Sequence, residues 1–131
     1  MPARELEVHK ALFDALTTAL APVAVYDDAP QDVPFPFVEF QAHQTLPHAP
    51  GAPLSGDFAQ HTVWLGVWSS YRGKKEVLGI IASIREALHD KPLTLAAGAA
   101  VLCQITAEET RRDADGVTQM GAVTVRVLVQ D

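Results

Sequence analysis

A single cysteine, Cys103, leaves the chain unable to form an internal disulfide. That is compatible with a reducing compartment, where folding relies on the core alone. No stretch approaches the roughly 20 apolar residues of a membrane helix. The first residues, MPARELEVHK, are charged where a signal peptide has its apolar run. Neither membrane insertion nor export is therefore expected. Basic residues are also scarce: ten Lys and Arg stand against sixteen Asp and Glu, a formal charge of −6. No basic block exceeds Lys74-Lys75 or Arg111-Arg112, which argues against non-specific nucleic-acid binding as the main task.

Catalytic signatures are missing as well. Gly73-Lys74-Lys75 is no phosphate loop, because Trp68 stands where the first glycine belongs and Lys75 replaces the magnesium-holding Ser/Thr. There is no Gly-x-Ser-x-Gly elbow. His43, His48 and His61 could converge on a metal, but no short-spaced ligand pair supports this, and surface histidines are the preferred reading. Asp113, Asp115 and Gly116 resemble a piece of a calcium loop without its remaining ligands, so a hairpin turn is preferred. Cys103 alternates with Val101 and Ile105 and reads as a small buried residue; a catalytic thiol would need a base partner. Asp27 and Asp28 read as turn formers. No catalytic residue, metal or cofactor is expected.

What is present is pattern. At 131 residues the chain is long enough for one domain with one core. Residues 60–90 read as a strand, a turn and an amphipathic helix. In the strand His61, Val63, Leu65, Val67 and Ser69 point one way, and Thr62, Trp64, Gly66, Trp68 and Ser70 the other. Both faces carry large apolar groups, as in a central strand covered twice or with one face buried by another subunit. Trp64 and Trp68 share a face and are candidates for core or subunit packing. Val77, Ile80, Ile81, Ile84 and Leu88 then follow helical spacing, and Pro92 is expected to end that helix.

The rest falls around this unit. Residues 4–20 predict a first helix with Leu6, Val8, Leu12, Phe13, Leu16, Ala19 and Leu20 on its apolar face, stopped by Pro22. Val23 to Tyr26 is a short extended piece. A strand runs from Phe37 to about Gln44, with Val38, Phe40 and Ala42 on one face. Residues 45–58 hold three prolines and two glycines and form a long loop. Val101, Cys103, Ile105 and Ala107 mark one face of a further strand, and Val123, Val125, Val127 and Val129 one face of the last. Asp115-Gly116 turns between them. The expected fold is α+β: a mostly antiparallel sheet of about four strands, with two helices packed on one face.

The stretches VYDDAPQDVPFPFVEF, HTVWLGVWSSYRGKKEV, LTL and DADGVTQMGAVTVRVLV, in this order and spacing, resemble the small tail-terminator or tail-completion proteins of long-tailed phages and gene transfer agents. The likeness runs from about Ala11 onward, so residues 1–131 are expected to be a single domain of this kind. The resemblance implies a homo-oligomer, typically a hexameric ring, at the head-proximal end of a tail tube. It would be made in the bacterial cytoplasm and assembled into the particle's tail. Its partners would be the tail tube protein and the head-tail connector or stopper protein, with DNA passing through the lumen without specific binding. No catalytic residues are implied. The contact candidates are Pro47, His48, Pro50, Pro53 and Asp57 in the long loop, and Arg111, Arg112, Asp113 and Asp115 at the hairpin. A connector or stopper role in the same particle is the alternative. A small ligand-binding domain is a third, and it would call for a deep pocket lined by His43, His61 and Trp64.

Overall fold

Two helical and four alternating patterns dominate the sequence, and the computed structural model places them in one sheet with two helices. It describes residues 4–46, 58–95 and 99–130, with backbone alone for 99–101. In chain order the elements are α1 (Glu5–Leu20), β1 (Ala24–Tyr26), β2 (Phe37–Leu46), β3 (Phe58–Ser69), α2 (Lys75–Leu88), β4 (Ala99–Arg112) and β5 (Gln119–Gln130).

Helix α1 buries Val8, Leu12, Leu16 and Leu20, one residue per turn along a single stripe. Leu6 is 80% exposed rather than on the stripe. It sits about 200° around the helix from Val8, so it points to solvent. The helix stops where Ala21, before Pro22, takes an extended backbone with ψ 135°. Helix α2 buries Val77, Ile80, Ile81, Ile84 and Leu88, the five residues its periodicity marks. Pro92 does not set its end. The helix closes at Leu88, and Asp90 turns the chain in the left-handed region at φ 57°. The Asp90 N–H then donates to the Cys103 carbonyl at 2.8 Å, tying the turn to β4.

The sheet has five strands in the order β1-β2-β3-β5-β4. Four are antiparallel, and β1 adds a parallel edge through Ala24, Val25 and Tyr26 against Phe37, Val38 and Glu39. The sheet is thus mixed, with one strand more than expected. Three residues carry too little alternation to announce a strand, and their partner lies across a loop.

Three register slips interrupt the alternation, one of them at Val101. The β2–β3 register slips at Gln41, so Ala42 opposes Trp64 and His43 opposes Val63. Ala42 therefore leaves the face of Val38 and Phe40, and His43 joins it. A second slip at Thr106 puts Ala107 opposite Thr124, off the face of Cys103 and Ile105. The side chain of Val101 lies outside the described residues. Val123, Val125, Val127 and Val129 are all buried as expected.

One face of this sheet joins the stripes of both helices in a continuous core that includes Val38, Val63, Leu65, Val67, Cys103 and the four β5 valines. No described helix covers the opposite face. The register also fixes two ends. Leu46 pairs with Gln60 and Phe58 with Gln130, so the 47–57 connection leaves one end of the sheet. Ser69 and Arg112 both pair with Gln119, so the 113–118 hairpin leaves the other.

Candidate interaction surfaces

The uncovered sheet face begins with Phe37 directly opposite Trp68. Their rings stack 5.1 Å apart and 13° from parallel. Phe35, 43% exposed, stacks on Phe37 at 5.6 Å, and Tyr26 meets Phe37 edge-on at 6.0 Å. The Trp68 indole lies flat across Gly66: a Cβ built there would fall on its Cη2 and Cζ3 atoms. Only glycine lets the ring approach the strand so closely. Trp64 and Trp68 flank a notch of about 140 Å³ that Gln41, Arg111 and Met120 also line. Both tryptophans are half-buried. They stand outside the helix-covered core, on a face of stacked rings with polar neighbours.

The hairpin holds itself together. Asp113 N–H donates to the Thr118 carbonyl at 2.8 Å, and Gly116 N–H to the Asp113 carbonyl at 3.0 Å. The Asp115 carboxylate accepts the N–H groups of Val117 and Thr118, both at 2.8 Å, and the Thr118 hydroxyl at 2.7 Å. These bonds, the Thr118 hydroxyl first, hold its pKa below the usual range. Gly116 at φ 75° supplies the left-handed turn. Asp115 is therefore a turn builder here. Asp113 accepts the Ala114 N–H at 2.8 Å. Arg111 and Arg112 are exposed just before the hairpin. Pro47, His48, Pro50, Pro53 and Asp57 lie outside the described residues.

His43 and His61 differ from their reading as surface groups. His61 is 1% exposed, on the helix-covered side. Its Nδ1 lies 2.9 Å from His43 Nε2 and 3.3 Å from Thr45 Oγ1. Burial, and then the neighbouring His61, push the His43 pKa down. The Gln41 bulge is what turns His43 towards His61, and nothing in the residue pattern announced it. Trp64 projects from the other face, so His43, His61 and Trp64 do not share a pocket. Among the described residues no group of three or more His, Cys, Asp or Glu could hold a metal. Cys103 is 2% exposed, and burial pushes its thiol up to about 11. It is a core residue with almost no thiolate at neutral pH.

The turn entering α2 is anchored to the sheet. Ser69 Oγ donates to Glu76 at 2.6 Å and accepts the Tyr71 N–H at 3.1 Å, while Lys74 Nζ donates to Gln119 at 2.8 Å. This places Arg72, Lys74 and Lys75 at the hairpin end of the sheet. Sequence reading missed the Phe35–Phe37–Trp68 stack. The aromatics were visible, but their meeting depends on the β2–β3 register.

Comparison with known proteins gives one family. The sequence profile described as Tail completion protein gp17 matches residues 8–130. A chain in the virion of a native gene transfer agent particle superposes with a TM-score of 0.82 over 100% of both chains at 18% identity, which shows a shared fold. The bacteriophage SPP1 gp17 protein superposes with a TM-score of 0.55 at 25% identity, over 92% of this chain and 89% of that one. No curated protein is significantly similar in sequence.

Proposed function

We propose a role from one premise: the chain belongs to the Tail completion protein gp17 family. It is a structural protein of a phage or phage-like tail, as the family and its structural relatives are, and no enzyme. Within that role, residues 1–131 act as one domain that assembles into a ring, a hexamer, at the head-proximal end of the tail tube. The ring stops tube growth at its final length and offers the head connector or stopper a surface. DNA passes through its lumen, and a formal charge of −6 suits a channel that must not hold it.

The family match over residues 8–130 carries this reading. Two features of the fold support its finer parts. A sheet face bearing Trp64 and Trp68 is left uncovered by either helix, which suits packing against another copy. The 47–57 connection and the 113–118 hairpin leave opposite ends of the sheet. Contact segments at two ends would suit a protein that joins two different partners.

The test is a deletion within residues 48–54 in otherwise complete particles. With the ring still assembled, the shortened protein should leave tails unattached to heads. Normal particles from that deletion would remove the connection from the mechanism.

A further inference from the structure

Charge is unevenly distributed along this chain. No lysine or arginine occurs between Lys10 and Arg72, whereas Asp14, Asp27, Asp28, Asp32, Glu39 and Asp57 all fall there. The fold turns that asymmetry into two sides. The two free edges of the sheet are β1 and β4. Beside β1, Asp27, Asp28 and Asp32 are exposed, with His9 Nε2 3.4 Å from the Asp27 carboxylate, and the exposed Phe35 follows Asp32 by three residues. At the end of β4, Arg111 and Arg112 are exposed, and neither forms an ion pair among the described residues. Their carboxylate neighbours in the hairpin, Asp113 and Asp115, already accept hydrogen bonds from it.

The two groups are offset along the strands. Tyr26 pairs with Glu39, Glu39 with Gly66, Gly66 with Ala122, and Ala122 with Glu109. Asp27 follows Tyr26 towards the 47–57 end, whereas β4 runs antiparallel to β1, so Arg111 lies two residues towards the hairpin end, level with Ala24. The offset of three residues, roughly 10 Å, means that a contact between copies tilts the strands to the ring axis. Five strands separate the edges by roughly 20 Å, beyond the reach of any side chain. The opposite charges therefore cannot meet within one chain.

We propose that they meet between copies: Arg111 and Arg112 of one copy dock on Asp27, Asp28 and Asp32 of the next. This rests on the ring reading above and names its contact. A two-fold dimer through either edge would set like charges against each other. A head-to-tail contact joins unlike patches, and repeated by rotation it closes a ring. Phe35, three residues after Asp32, gives an arginine guanidinium a ring to stack on.

The experiment replaces the protein in particles with Arg111→Glu/Arg112→Glu, with Asp28→Lys/Asp32→Lys, or with both variants co-expressed. Circular dichroism and melting of each purified variant confirm folding, which exposed substitutions should leave intact. Each variant alone should lower the number of ring-bearing tails at least about tenfold. Co-expression should restore them, because alternating copies then match at every contact of an even-membered ring. Wild-type ring counts with either variant alone, or no rescue on co-expression, would overturn the pairing and leave the ring itself standing. Tails that carry no ring even with the unaltered protein would sink the ring reading, and this pairing with it.

Discussion

Gly66→Ala tests the stacked sheet face through a change of sign. In the native chain the added methyl would fall on the Trp68 six-membered ring. The strand backbone is fixed by its pairing with both β2 and β5, so the indole has to move. Leaving Phe37 forfeits a stacked pair worth about 0.5–1.5 kcal/mol beyond burial. Exposing roughly 50–100 Å² of indole costs about 1–2.5 kcal/mol more. Alanine in a strand recovers about 0.5–1 kcal/mol of backbone entropy relative to glycine. The substitution should therefore destabilise by about 1–3 kcal/mol, lowering Tm by roughly 4–12 °C in a chain of this size. In a Trp68→Leu background the obstacle is gone, and the same alanine should stabilise by about 0.5–1 kcal/mol. Urea unfolding of the four proteins, followed by circular dichroism, gives the coupling directly. Destabilisation of equal size in both backgrounds would refute the placement of Trp68 over Gly66.

Further outcomes follow from the helix-covered side. The His43 pKa lies below the ordinary value of 6.5, chiefly through burial and then through His61, with Glu5 opposing the shift. The unfolded chain thus binds a proton that the folded chain refuses. Stability should be level above about pH 7 and decline as pH falls below 6.5, and His43→Gln should reduce that decline in melting scans. A decline unchanged in His43→Gln would place its origin elsewhere. Cys103, with its thiol raised to about 11, should resist iodoacetamide at pH 8 until the protein is unfolded in urea. Rapid alkylation of the native protein would contradict its burial. Ile84→Ala should cost about 2–4 kcal/mol in urea unfolding, since Ile84 is fully buried where α2 meets the sheet. A loss under about 1 kcal/mol would show that this helix is not docked there.

The helices were legible because their signal is local. Val77, Ile80, Ile81, Ile84 and Leu88 repeat at helical spacing over three turns, and all five are buried. The β5 valines were equally plain, since four in strict alternation leave one reading. What escaped depends on pairing between distant segments. The bulge at Gln41 appears only when β2 is set against β3, and it sends Ala42 and His43 to faces opposite to those alternation predicts. Strand β1 is three residues long and gains its place from a parallel partner across a loop. The candidate contacts divided in the same way. Arg111, Arg112, Asp113 and Asp115 gather at one end as the turn pair Asp115-Gly116 foretold. The closeness of Phe35, Phe37 and Trp68 needed the register.

Several copies of this chain, side by side, should sit at the end of the tail nearest the head. Imaging of assembled particles at a resolution that separates subunits tests it most directly. A closed ring of identical copies should lie between tube and head connector, each β4 edge facing the next copy's β1 edge. A single copy at that position, or a tail tube that meets the head with none of this protein between them, would contradict it.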